Sequence, residues 1–251
     1  MRTKPFVTGV AVTKPIPPED YLASLPVVRH LRAMGELPFR KNVTFLVGEN
    51  GVGKSTLVEA IAVQAGFNAE GGSVNFNFST HDSHSELWRY LTLSRGTTRN
   101  TDGFFLRAES FYNVASNIDE LDRHGGGTRM LIESYGGTSL HRQSHGESFL
   151  SLVEHRFGGH GLYILDEPEA ALSPMKQMTL MCLMRALVDE ASQFIISTHS
   201  PMLMTFPGAE IYELSDAGIR SVRAQDTEHF RLMKQFLNAP EQMLRYLELE
   251  E

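Results

Sequence analysis

Residues 43–56 read VTFLVGENGVGKST: a continuous apolar run, a glycine-rich loop, and then an apolar-periodic segment that continues to Ala65. A short apolar run without alternation is what a strand buried on both faces requires, and such strands belong to mostly parallel sheets covered by helices. Gly48–Ser55 matches G-x-x-x-x-G-K-[ST] at every specified position, between a strand and a helix as the pattern's mechanism demands. Gly48, Gly51 and Gly53 let the backbone bend so that its N–H groups surround phosphate oxygens. Glu49, Asn50, Val52 and Thr56 complete the expected nucleotide-binding loop. Lys54 supplies a point charge to the β- and γ-phosphates, Ser55 offers a hydroxyl to Mg2+, and the helix N-terminus adds its dipole.

The rest of the chain is consistent with an α/β architecture. A strand is expected over Phe6–Val12, at a sheet edge because prolines follow it, and then a helix near Tyr21–Met34. Residues 66–80 read as loop or irregular strand. The pattern then predicts a helix around Glu86–Arg95, a strand at Gly103–Arg107 and a helix after Glu109. Gly125–Gly127 and Gly136–Gly137 punctuate the approach to a helix over Glu147–Arg156. Apolar strands at Leu162–Leu165 and Phe194–Ser197 flank a helix over Pro174–Glu190. Ile211–Leu214 and Ile219–Val222, separated by SDAG, read as a hairpin. Phe230, Met233 and Leu237 share one face of a helical tail that breaks at Pro240. Strands alternating with helices predict a mostly parallel central sheet with helices on both faces and an antiparallel portion.

Composition narrows the classes. The 251 residues are 41% hydrophobic and 21% charged, ordinary globular values. No run of about 18 apolar residues exists, and the N-terminus lacks the apolar core of a secretory signal. The single cysteine, Cys182, fits a reducing cytoplasm. A net charge of −7 argues against a broad nucleic-acid surface. Of ten histidines, the nearest pair, His81 and His84, has no acid-rich or Cys-rich partner, so a dedicated His-based metal site is not expected.

LYILDEPEAAL places Asp166 and Glu167 at the carboxyl end of an apolar strand, where a parallel sheet presents groups to a ligand. Asp166 suits a role holding Mg2+, and Glu167 can polarise an attacking water as general base. FIISTHS ends a second apolar strand on His199, a candidate γ-phosphate contact that, taken alone, would read as a structural histidine. QSHGES, residues 143–148, puts Ser144, Gly146 and Glu147 at a helix start. Its N–H groups make an anion site, and Ser144 also reads as an N-cap.

P-loop, Ser-x-Gly-Glu, apolar Asp-Glu and strand-end His, in this order across residues 43–199, resemble the ABC-type ATPase domain. The resemblance is to soluble, stand-alone members of the RecF, SMC and AAA-family kind. It implies one domain over 1–251, with a small helical signature subdomain at about 86–157 and a C-terminal helical tail at 226–251. It also implies that Ser144, Gly146 and Glu147 cap ATP bound to another subunit, so that two sites form across a head-to-tail dimer. Lys54, Glu167 and His199 would then be the catalytic residues, with ATP as substrate and Mg2+ held by Ser55, Asp166 and a residue at the place of Glu109.

The family pattern LSGGQ stands here as QSHGE, and EAALSP follows the acids where serine-alanine-leucine-aspartate is common. About 90 residues separate the P-loop from the signature, too few to insert a long coiled coil. The implied function is a soluble Mg2+-dependent ATPase whose hydrolysis drives a dimerisation switch on an unknown effector. The alternatives are the ATP-binding subunit of an ABC transporter working with a separate membrane permease, and a non-enzymatic nucleotide-dependent module. Nucleic acid as a partner has no support in the charge balance.

Overall fold

A computed structural model describes residues 4–73, 85–107 and 144–249. Glu109, the helix expected after it, Gln143, His81 and His84, and the glycines at 125–127 and 136–137 lie outside the described residues. The chain opens with β1 (Val7–Val12), the helices α1 (Tyr21–Ser24) and α2 (Pro26–Met34), and the two-residue β2 (Leu37–Pro38). β3 (Val43–Gly48) then feeds α3 (Lys54–Ala65). A 3-10 turn over Glu86–Arg89 leads to β4 (Leu91–Arg95) and β5 (Asp102–Arg107). Beyond it come α4 (His145–Arg156), β6 (Gly161–Asp166), α5 (Pro174–Asp189) and β7 (Gln193–Ser197). The chain ends through α6 (Pro201–Met204), β8 (Glu210–Ser215), β9 (Gly218–Val222), α7 (Glu228–Asn238) and α8 (Pro240–Tyr246).

Six strands form the main sheet in the spatial order β5-β6-β7-β3-β8-β9. The first five are parallel, and β9 returns antiparallel as the expected hairpin. Both faces are buried, which explains the unbroken apolar runs. On one face Phe45, Phe104, Tyr163, Leu165 and Ile196 meet α4, α5 and α6 through Phe149, Leu152, Leu180 and Leu203. The alternate residues Leu46, Phe105, Leu162, Ile164 and Ile195 face a second core with Leu57 and Ile61 of α3 and Val28 and Leu31 of α2.

Two local expectations are corrected. Residues 91–95, expected as helix, form β4, because Leu91 and Leu93 alternate with Thr92 and Ser94 at the two-residue period of a strand. Only Glu86–Arg89 is a short 3-10 turn. Consequently β1 is not an edge strand. It lies between β2 and β4 in a three-stranded antiparallel sheet, and the misread β4 had hidden its second partner. Within 86–157, therefore, β4 and β5 are sheet strands, and α4 is the described helix.

A buried amide ties the two sheets. Gln193, at the start of β7, accepts from the Val7 N–H at 2.9 Å and donates to the Val7 carbonyl at 2.8 Å. Both residues are fully buried. Gln193→Met keeps the volume but strands two backbone groups of β1. We expect a loss of about 2 kcal/mol in a denaturant titration; an unchanged midpoint would mean that water replaces the amide.

Helix boundaries follow their caps. Pro174 opens α5 after the N-cap Ser173, and Thr227 caps α7 by accepting from the Phe230 N–H at 3.3 Å. The tail breaks at Pro240 as expected, since proline begins α8. Among the described residues, neither tail helix contains a buried one.

Candidate functional site

Parallel register brings the ends of β3, β6 and β7 to one edge: Leu46 pairs with Ser197, and Ser197 with Asp166. The loop after β3 therefore faces Asp166, Glu167 and His199 directly. Two glycines of that loop are required by geometry. A Cβ on Gly48 would come within 2.0 Å of the Leu214 carbonyl of β8. Gly53, at the N-cap of α3, has φ +95°, and a Cβ there would strike Val27 at 2.5 Å. Val52 is buried and its carbonyl accepts from the Val27 N–H at 3.1 Å, so it anchors the loop from below while Glu49 and Asn50 are exposed.

Lys54, in the first turn of α3, is only 4% exposed, and its Nζ donates back to the Glu49 carbonyl at 2.8 Å. Burial lowers its pKa from the ordinary lysine value; the carboxylates of Glu167, Asp166, Glu169 and Glu49 pull it partly back. A desolvated ammonium curled over its own loop is poised for an anion. Ser55, Asp166 and Glu167 line one cavity of about 350 Å3 together with Arg107, His145, Ala170 and Ala171.

Asp166 is buried and accepts from the Ser197 hydroxyl across the β6–β7 pair. Its other oxygen lies 3.4 Å from Arg107 Nε. Arg107, the last residue of β5, is the register partner of Asp166 and donates to Glu59 of α3 at 2.7 Å. Glu59 in turn accepts from the Ser85 N–H at 2.9 Å. This chain of charge fixes Asp166 without filling the cavity.

Glu167 adopts φ +51°, ψ +52°, a left-handed conformation unusual for glutamate, and its N–H donates to the Ser197 carbonyl at 3.1 Å. The strained turn swings its carboxylate off the strand into the cleft, where it stays about one-third exposed. His199 Nε2 lies 3.5 Å from Glu167 Oε1. Burial, then the charge of Lys54 and the neighbouring His229, drops the His199 pKa to about 4. The ring is therefore neutral near pH 7, and its approach to Glu167 is not an ion pair. Glu169 accepts from the His199 N–H and holds the start of that loop; burial raises its own pKa.

The helix start after Gln143 has firm local functions. Glu147 accepts from the Ser144 N–H at 3.0 Å and from its hydroxyl at 2.6 Å, in a capping box. Those bonds, with Lys176 nearby, hold the Glu147 carboxyl below its usual range. Lys176 of α5 donates to the Ser144 hydroxyl at 3.1 Å. Gly146 is buried, and a Cβ there would meet the Ala171 carbonyl and the Lys176 side chain, both at 2.8 Å. Ser144 and Glu147 remain exposed, while His145 between them reaches the chain's own cavity.

The structure thus gathers Lys54, Ser55, Asp166, Glu167 and His199 in one cleft and sets Ser144, Gly146 and Glu147 at its rim on α4. Sequence reasoning missed Arg107, Glu59, Ser197, Lys176 and His229. Only Arg107 left a signal, as the last residue of the apolar run that precedes Glu109.

The residues fit the groups that the loop implies. One buried carboxylate and one hydroxyl on a shared cavity suit Mg2+, which takes few protein ligands and relies on phosphate and water for the rest.

A family model described as "AAA domain" matches residues 29–121, and one described as "AAA domain, putative AbiEii toxin, Type IV TA system" matches residues 138–205. No curated protein matches the chain. Among solved structures, the chain is similar to "An inward-facing conformation of a putative metal-chelate type ABC transporter", at 12% identity, TM-score 0.49, covering 93% of this chain and 88% of that one. It is also similar to cbiO1 from Clostridium perfringens, part of an ABC transporter complex, at 13% identity, TM-score 0.48, covering 98% and 100%. The SMC head domain from Thermotoga maritima matches at 16% identity, TM-score 0.40, covering 75% and 92%. No helix of the described residues is long and apolar enough to cross a membrane.

Proposed function

We propose that this chain, an ABC-type P-loop ATPase in motif order and fold, hydrolyses ATP to ADP and phosphate with Mg2+ and uses the reaction as a dimerisation switch. The observation that carries the reading is the convergence of Lys54, Ser55, Asp166, Glu167 and the neutral His199 on one cleft at the carboxyl edge of the sheet. Bound Mg2+ would neutralise phosphate charge, with Ser55 and Asp166 as the protein groups that hold it. The P-loop amides and Lys54 bind and orient the phosphates. Glu167, held off the strand by its backbone, takes the proton of the attacking water. His199 contacts the γ-phosphate.

The rim supports a second subunit. Ser144, His145 and Glu147 are exposed at the start of α4, and His145 lines the cavity that Ser55, Asp166 and Glu167 share. Closing it with a partner's signature loop would exclude water and complete the anion site. The Ser144 hydroxyl must then exchange its bonds to Glu147 and Lys176 for phosphate.

Ser144→Arg tests this directly. We expect ATP affinity within about threefold of the parent and turnover lower by roughly a hundredfold, the pattern of an interaction made only during reaction. Mixing Ser144→Arg with Lys54→Ala should rebuild one intact composite site per heterodimer, recovering up to about a quarter of parental activity. No recovery, with both variants folded, would sink the shared-site reading. Equal loss of ATP binding in Ser144→Arg would make that residue purely structural.

A further inference from the structure

His229 occupies the first turn of α7, far along the chain from every motif described above, yet its Nε2 lies 2.9 Å from Nδ1 of His199. The two rings are tilted at 60° with centroids 4.9 Å apart, so the contact runs through the nitrogens rather than by stacking. The N-terminus of α7 is firmly placed. Thr227, fully buried, donates to the Ala224 carbonyl at 2.7 Å, and the Glu228 N–H donates to Glu213 of β8 at 2.9 Å. Glu213 is itself paired with Arg220 at 2.8 Å. His229 is therefore presented to His199 by a pinned helix start.

A hydrogen bond between two imidazoles has one donor, and the choice fixes the tautomer. If His199 Nδ1–H donated, its Nε2 would carry a bare lone pair 3.5 Å from the Glu167 carboxylate, an electrostatically repulsive arrangement. If His229 Nε2–H donates, His199 Nδ1 accepts and Nε2 carries the hydrogen. That atom is buried and has no hydrogen-bond partner among the described residues. It points toward Glu167, in the cleft where a γ-phosphate would add an acceptor. The geometry selects the second arrangement.

We propose that His229 is a positioning residue that donates from Nε2 to His199 Nδ1 and so locks His199 as the Nε2–H tautomer, the form able to donate into the hydrolytic cleft. The helical tail beyond the shared motifs thereby becomes part of the ATPase site. The proposal deepens the hydrolytic reading and rests on it for its catalytic consequence, but the tautomer itself is a property of the nucleotide-free chain.

Long-range 1H–15N correlation of imidazole-labelled protein near pH 7 reads that tautomer without ATP, with the His199 signals identified by their loss in His199→Gln. The expected result is an Nε2–H pattern for His199 in the parent. In His229→Phe we expect that pattern to give way to a tautomer mixture, and kcat to fall by about tenfold or more while KM for ATP stays within about twofold. His229→Gln, which restores an amide donor at similar reach, should recover most of kcat. An Nδ1–H pattern for His199 in the parent overturns the proposal whatever the variants do. So does a parental kcat in folded His229→Phe. If His229→Phe fails to fold, the parent spectrum and His229→Gln still decide. A parent that shows the Nε2–H pattern yet hydrolyses no ATP supports the lock and refutes the hydrolytic reading alone.

Discussion

We expect Glu167→Gln to bind Mg–ATP within about threefold of the parent, to hydrolyse it at least a hundredfold more slowly, and to accumulate as an ATP-bound dimer. The change is nearly isosteric. The backbone N–H still reaches the Ser197 carbonyl at 3.1 Å, and the left-handed turn that projects the side chain into the cleft is retained. The phosphate-binding parts, Lys54 over its loop and Ser55 beside Asp166, are untouched. What disappears is the carboxylate proposed to take a proton from water, since an amide has no basicity near neutral pH. With the chemical step blocked, the proposed closed dimer would keep its ATP and have no exit. Size-exclusion chromatography with light scattering, with and without ATP, checks the second half of the claim. A monomer at saturating ATP would end the sandwich reading. Normal turnover would remove Glu167 from the role of base.

The frame of this site was legible because its physics is local. Val43–Val47, Leu162–Leu165 and Phe194–Ser197 are apolar except for the buried Thr44 and Ser197 for one reason, burial on both sheet faces, and each motif follows directly from the end of its strand. Where a signal was short, the reading failed. Leu91–Arg95 carries the two-residue period of a strand over only five residues, directly after the turn at Glu86–Arg89, and nothing short-range announces that β1 needs a partner on that side. An eighty-residue separation between paired strands leaves no trace in either segment.

The supporting roles, including that of Arg107 despite its place at the end of an apolar run, were invisible for a related reason. Arg107, Glu59, Ser197 and Lys176 are ordinary side chains in ordinary elements; only three-dimensional register makes them partners of Asp166 and Ser144. His229 is the extreme case, a histidine in an amphipathic tail helix whose role exists only because Glu213 and Thr227 pin that helix to the sheet. Gly146 shows the converse. Its place in the signature is legible, but its burial against Ala171 and Lys176 gives it a packing requirement that no phosphate argument contains. A residue can match a motif and still be small for a nearer reason.

The largest stability effect is expected at Asp102, at the end of the sheet opposite the cleft. Its carboxylate accepts from Arg156 at 2.8 Å, the Gly158 N–H at 3.1 Å and the Tyr163 hydroxyl at 2.9 Å. It therefore joins the start of β5, the end of α4 and the body of β6. Burial alone would raise its pKa, but the hydrogen bond and charge of Arg156, with the Gly103 N–H and Tyr163 hydroxyl, outweigh that and hold it below the usual carboxylate range. Tyr163, fully buried, is pushed far up by burial and by the Asp102 charge, so it stays a donor at all working pH values. Asp102→Ala leaves Arg156 and the Tyr163 hydroxyl without their anion, and we expect it to cost about 3 kcal/mol at pH 7 by urea unfolding. The sign of the pH dependence follows from the depressed pKa. The native state favours the ionised carboxyl, so the contribution is complete above the ordinary carboxylate value and fades as pH falls through the lower folded one. Parent and variant should therefore converge in acid. Because α4 carries Ser144 at its other end, the same substitution should weaken turnover more than ATP binding. A difference in stability that persisted undiminished to low pH would locate the cost in lost packing instead of the anion.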